Sequence, residues 1–160
     1  MRAALSGSFA VMLAISAPLA AHEQAPRAAQ AGTLAPSARG AAAAVDAFHA
    51  ALERGDARAA TALLADDALI FESGGAERSK AEYAAHHLAA DAEFARAVSS
   101  VVTRRAGQAG GGSAWIATEG RTTGTYKGKP LDLITTETMV LRRTGGAWKI
   151  AHVHWSSDKR

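Results

Sequence analysis

"ETMVLRRTGGAWKIAHVHWS", Glu137 to Ser156, decides the fold. Two runs rich in β-branched and aromatic side chains flank Thr144-Gly145-Gly146, whose glycines suit a tight chain reversal. The stretch therefore predicts an antiparallel hairpin. Upstream, "VSSVVTRRA", "SAWIATEGRTTGTY" and "LDLITTETMVLRR" are separated by Gly110-Gly111-Gly112 and Lys127-Gly128-Lys129-Pro130. Everything after Val98 reads as an antiparallel meander.

The segment before Val98 has the other period. Val45, Phe48 and Leu52 make one apolar face of a helix over 41–54. Gly55 can end that helix in the left-handed conformation, and Asp56 can cap the next. The second helix carries Leu63 and Leu64 and is expected to end at Asp66-Asp67, before a short strand "ALIFES" and a turn at Gly74-Gly75. Ser79-Lys80-Ala81-Glu82 is a capping box opening a third helix through Ala97. On that helix Tyr83, His87 and Phe94 share an inner side, with His86 about 100° further round. Helices followed by a meander define an α+β domain, with the helices on one sheet face.

The N-terminus is of a different kind. Residues 1–21 carry one arginine, an apolar run from Phe9 to Leu19 and small residues before His22, the layout of a cleaved signal peptide. Residues 22–40, rich in Ala, Pro, Gln and Gly, read as a flexible linker, which leaves 41–160 as one domain. The expected destination is the periplasm or the exterior, with no membrane attachment after cleavage. The chain has no cysteine, which excludes disulfides and a lipoprotein anchor. The pI near 9.6 overstates its basicity. Without Arg2, seventeen basic residues face fifteen acidic ones, and they are scattered apart from Arg104-Arg105 and Arg142-Arg143. Both pairs read as solvated strand edges. No basic stripe with interleaved aromatics points to nucleic acid.

"ALERGD" at the corner between helices, Phe71-Glu72, Gly128 to Pro130 and the block Glu137 to Ser156 follow one another in an order that resembles the nuclear transport factor 2-like superfamily. Within it the chain resembles the SnoaL-like group and the association (hub) domain of calcium/calmodulin-dependent protein kinase II. The resemblance covers roughly residues 44–157. It implies a cone-shaped curved antiparallel sheet packed against N-terminal helices, also called cystatin-like, with a pocket at the open end. Relatives of this kind include isomerases, dehydratases and cyclases, and others that only bind or assemble, so the fold does not assign the function.

Strict strand alternation proposes the facings. Counting from Lys149 as solvent-facing, Trp148, Ile150, His152 and His154 point inward. Matching the family pattern turns Trp115, Ala117, Glu119 and Arg121 inward as well, with Glu137, Met139 and Leu141 from the next strand. The expected pocket lining is Tyr83, His87, Trp115, Glu119, Met139, His152 and His154. The hub family often has pocket arginines where Glu119 and Met139 stand here, which puts an anion pocket of that type in doubt. Ile116, Val140, Val153 and Trp155 are left on the outer face as a homodimer interface.

Three roles are open to the two histidines. His152 and His154 could converge on a metal, with Glu119, His86 or His87 as a third ligand, although no further ligand motif supports it. Glu119 and His152 could act as general acid and base in an isomerase, dehydratase or hydrolase. The reading preferred from sequence is a wall of a pocket for an unidentified small molecule, with an oligomerisation role and no cofactor.

Overall fold

The computed structural model describes residues 32–160. The expected signal peptide, residues 1–21, and most of the expected linker, residues 22–40, lie outside the described residues. Leu34 already bridges to Gly107, and a 3-10 turn at Pro36–Ala38 buries Ala38, so the folded unit reaches back before residue 41.

Helix α1 spans Arg39–Arg54 and buries Val45, Phe48 and Leu52, the expected stripe. Gly55, at φ 69°, ends it, and the Asp56 carboxylate accepts from Ala59 N to start α2, Ala57–Leu63. The chain then turns extended sooner than expected. Strand β1 is Leu64–Glu72, so Asp66 and Asp67 lie in it and not on a helix, paired with Lys80 and Arg142. Strand β2 (Gly75–Glu77) pairs back on β1.

Ser79 caps α3, Lys80–His86, by accepting from Glu82 N, and the Glu82 carboxylate reaches back to Arg78 N. The expected third helix is two. The chain makes a turn at His87, which stays in the right-handed helical region at φ −111°, and α4 follows at Leu88–Ala97. The meander follows as β3 (Val98–Gly110), β4 (Ser113–Tyr126), β5 (Lys129–Thr144) and β6 (Ala147–Lys159).

These strands form one six-stranded sheet in the order β2-β1-β6-β5-β4-β3. The meander is antiparallel throughout, and β1 joins it parallel to β6. Helix α1 lies across the concave face, where Val45, Phe48 and Ala51 meet Ile116, Met139, Leu141, Ile150 and Val153.

Two register shifts decide which side chains see that face. In β6, Val140 pairs with His152 but Leu141 pairs with Ile150, so Ala151 is an extra residue. A bulge reverses the alternation beyond it. Ile150 and Val153, three apart, are both buried, while His152 and His154 turn to the convex side. In β3, Val102 pairs with Gly120 and Arg104 with Glu119, so Thr103 is extra. Val102 and Arg105 both face the concave side as a result, and Arg104 faces out.

Strand β4 presents Ala114, Ile116 and Thr122 inward, the opposite of the expected set. Trp115, Glu119 and Arg121 are exposed on the convex face, where Glu119 pairs with Arg104 and Arg121 with Asp132. Packing explains the reversal. Ile116 can bury fully against α1, whereas an arginine and a glutamate there would have to be desolvated. The β5 facing is as expected, with Glu137, Met139 and Leu141 buried.

Candidate functional site

A cavity of about 400 Å³ opens between α1, α4 and the concave sheet. That is a size suited to a small organic ligand. One wall is apolar, from Phe94, Val98, Val102 and Leu133; the other carries His49, Arg105, Thr118, Glu137 and Trp155. Gly120 also lines it, and a Cβ there would stand 2.9 Å from Thr135 Oγ1. Its bare backbone is therefore a fixed part of the shape.

The polar wall is built from residues far apart in the chain. His49 belongs to the buried stripe of α1, one step from Phe48, and it meets Glu137 from the middle of β5. His49 Nε2 donates to Glu137 Oε2 at 2.7 Å, and the Trp155 indole Nε1–H donates to the same oxygen at 2.7 Å. Phe48 and the Trp155 ring stack, with centroids 6.3 Å apart, which fixes the indole for that bond. Glu137 Oε1 is buried and has no hydrogen-bond partner among the described residues. The Glu137 side chain is only 9% exposed, while His49 keeps 37% open.

Charge follows from this geometry. Burial pulls the His49 imidazole down, but the bond to Glu137 and its charge outweigh that and hold it above its usual value. Burial pushes Glu137 up, and the His49 bond and charge, helped by Trp155 and Arg105, bring it below the usual carboxylate range. The two shifts agree on an imidazolium–carboxylate pair.

Beside it, Arg105 donates to Asp46 Oδ1 at 2.6 Å and to Thr118 Oγ1 at 3.2 Å. It is a largely covered cavity residue and not a solvated strand edge. A third polar group stands further along. Tyr83, fully buried, donates to Asp91 Oδ2 at 2.8 Å. Burial first, then the charge of Asp91, raises the Tyr83 phenol far above its usual value. Burial also raises Asp91, opposed by the Tyr83 bond, and it raises Glu72, where the charges of Asp91 and Glu77 add to it. Asp91 and Glu72 line the cavity.

The residues expected at the pocket are elsewhere. Tyr83 supports Asp91 from behind, and Met139 is core. His87 is a half-exposed partner of Glu77. Trp115, Glu119, His152 and His154 are on the convex face. There the His152 Nδ1–H donates to the Leu69 carbonyl at 2.8 Å, and the two imidazole centroids are 6.5 Å apart. Among the described residues no group of three or more His, Cys, Asp or Glu side chains is placed to hold a metal ion. Glu119 and His152 cannot act as a pair on a cavity ligand, because neither faces it.

The expected interface is also corrected. Ile116 and Val153 are core, and Trp155 is a cavity wall. Val140 alone of that set is exposed outside, beside Trp115 in the same cross-strand row.

The SnoaL-like domain family matches residues 41–158. The chain belongs to that family. A crystal structure from Shewanella frigidimarina, provisionally described as a ketosteroid isomerase, is 36% identical over 78% of this chain and 100% of its own, with a TM-score of 0.73. One from Xanthomonas campestris, provisionally described as a calcium/calmodulin-dependent protein kinase II association domain, is 25% identical over 79% of this chain and 93% of its own, with a TM-score of 0.65. A protein of cystatin-like fold from Caulobacter vibrioides is 12% identical over 78% and 92%, with a TM-score of 0.67, a likeness of fold alone. A comparison with curated proteins finds no match. This SnoaL-like domain is thus similar both to a protein named for chemistry and to one named for assembly.

Proposed function

We propose that this SnoaL-like domain is an exported protein that holds a small, largely apolar molecule in its concave cavity, polar end against His49 and Glu137. The observation that carries the reading is the His49–Glu137–Trp155 cluster facing an apolar wall of Phe94, Val98, Val102 and Leu133 across one cavity. Fixed polar groups in an apolar enclosure orient a ligand and cost little to desolvate again. Amide correlation spectra recorded with a library of small amphipathic fragments test it. Shifts should gather at His49, Phe94, Thr118, Glu137 and the Trp155 indole. Binders that perturb only the convex face, or no binder at all, would overturn it.

A second reading is favoured by the same pair. A carboxylate that fixes the tautomer and raises the basicity of an imidazole is the orienting arrangement used in general acid–base catalysis. His49 would then move a proton on the bound molecule, and the 36% identity to a protein provisionally described as an isomerase supports it. Both readings use one cavity, and the second adds turnover.

The assembly proposed is a homodimer through the convex sheet face. Phe71, Trp115, Ile134 and Val140 are exposed there, and among them Trp115 is 43% exposed. The likeness to an association domain supports the same idea. An isologous sheet contact would cover this patch.

A further inference from the structure

The convex face holds a second grouping, apart from the cavity. His152 and His154 stand two apart on β6 and share that face, His154 exposed and His152 half-buried. The Leu69 carbonyl can only accept, so its bond at 2.8 Å puts the His152 proton on Nδ1 and leaves Nε2 as a bare lone pair across the ring. A backbone carbonyl behind one ring nitrogen is the arrangement that orients metal-ligating histidines. His154 makes ring contacts but no hydrogen bond among the described residues. Phe71 packs edge-on against both rings, its centroid 5.3 Å from that of His152 and 6.3 Å from that of His154.

The two imidazole centroids are 6.5 Å apart. Two imidazoles on one tetrahedral ion, bonded at about 2.0–2.1 Å, bring their centroids to roughly 5 Å. Rotation of the exposed His154 side chain, which no hydrogen bond restrains, covers the difference. Zinc takes four ligands, and one chain brings two. Glu119, on the same face, is two strands away and paired with Arg104. Among the described residues no third His, Cys, Asp or Glu joins the pair. The remaining donors must come from outside the chain.

What surrounds the pair says where from. Cross-strand register puts Val140 beside His152 with Trp115 next in the row, and it puts Thr138 and Phe71 on either side of His154. The half-site therefore sits within the exposed apolar patch proposed above as the contact between copies. An isologous contact presents every residue twice. A two-fold axis beside His154 brings four imidazoles together, and covering their lone pairs without a partner is costly. One metal ion satisfies all four, and imidazole ligands suit zinc better than magnesium or calcium. We infer that His152 and His154 are one half of a zinc site, completed by the same two histidines of a second copy docked on the convex face. The inference rests on the proposed assembly and adds a metal to it.

The test is a zinc titration of the full chain, without its expected signal peptide and with no histidine tag, followed by light scattering. Wild-type protein should take up one zinc per two chains. Zinc should also lower the concentration at which the dimer dissociates at least about tenfold, and magnesium should do neither. His154→Ala, at an exposed residue with no hydrogen bond to lose, should keep the metal-free fold. It should lose zinc affinity at least about a hundredfold, since loss of a mere outer partner costs about ten- to a hundredfold. A wild-type dimer whose association zinc leaves unchanged, or zinc bound equally by His154→Ala, would overturn the metal site and leave the convex assembly standing. A monomer, with or without bound zinc, would overturn the shared site and the assembly together. A crystal grown with zinc gives a readout independent of affinity. Its anomalous peak should lie on the two-fold axis, about 2.0–2.1 Å from four imidazole nitrogens; a peak confined to other histidines would overturn the inference.

Discussion

His49 and Glu137, 88 residues apart, meet at 2.7 Å and tie helix α1 to the middle of β5. The contact closes one wall of the cavity and also bears on stability. Removing His49 would strand a carboxylate that is almost fully covered. His49→Ala should cost about 2 kcal/mol or more, below the full penalty for a buried pair because the imidazole is partly open. Urea denaturation of the two proteins measures it, and a loss under half a kilocalorie would mean the pair is not formed.

The pair also sets a pH dependence. His49 is raised, so its contribution is complete below about pH 6.5 and is lost as pH rises through its folded value. Glu137 is depressed, so its contribution is complete above about pH 4.3 and is lost as pH falls through its folded value. Asp91, raised by burial, favours folding when protonated and works against it as pH climbs. These signs place greatest stability in mild acid. The melting temperature should be higher near pH 5.5 than at pH 8, and a profile rising steadily to pH 8 would contradict them.

The convex face predicts an assembly phenotype. Trp115→Lys should leave the fold intact and convert a dimer to a monomer in light scattering. Trp155→Lys should instead damage the fold, because Trp155 bonds Glu137 and stacks on Phe48. A wild-type monomer at micromolar concentration would rule the dimer out.

Much of this was legible in the residues. The Ser79 capping box, the Gly55 and Asp56 corner and the glycine turns read correctly because each rests on local geometry, and the inward Glu137 followed from the family pattern. The site itself did not. His49 was readable: it completes the i, i+3, i+4, i+7 stripe of Val45, Phe48 and Leu52, and a polar residue in such a stripe signals a buried partner. The facings of β6 failed because strict alternation was carried through Ala151. Ile150 and Val153, apolar and three apart in a strand, are the trace a bulge leaves, as are Val102 and Arg105 in β3. Trp115 was turned inward by the family pattern, whereas in the β4 register it pairs with Val140 and shares its exposed face.

Export is tested directly by the N-terminus. Mass spectrometry of protein secreted from a bacterial host should show a chain beginning near His22, while an intact Met1 form held in the membrane would contradict the proposal.

The central claim, that the working site is the concave cavity built on His49 and Glu137, is tested most directly by titrating His49. Its imidazole resonances should change above the usual histidine range in wild-type protein. In Glu137→Gln they should move to lower pH, because burial would then act with little opposing it. A His49 titration at or below the usual range, unmoved by Glu137→Gln, would contradict the account.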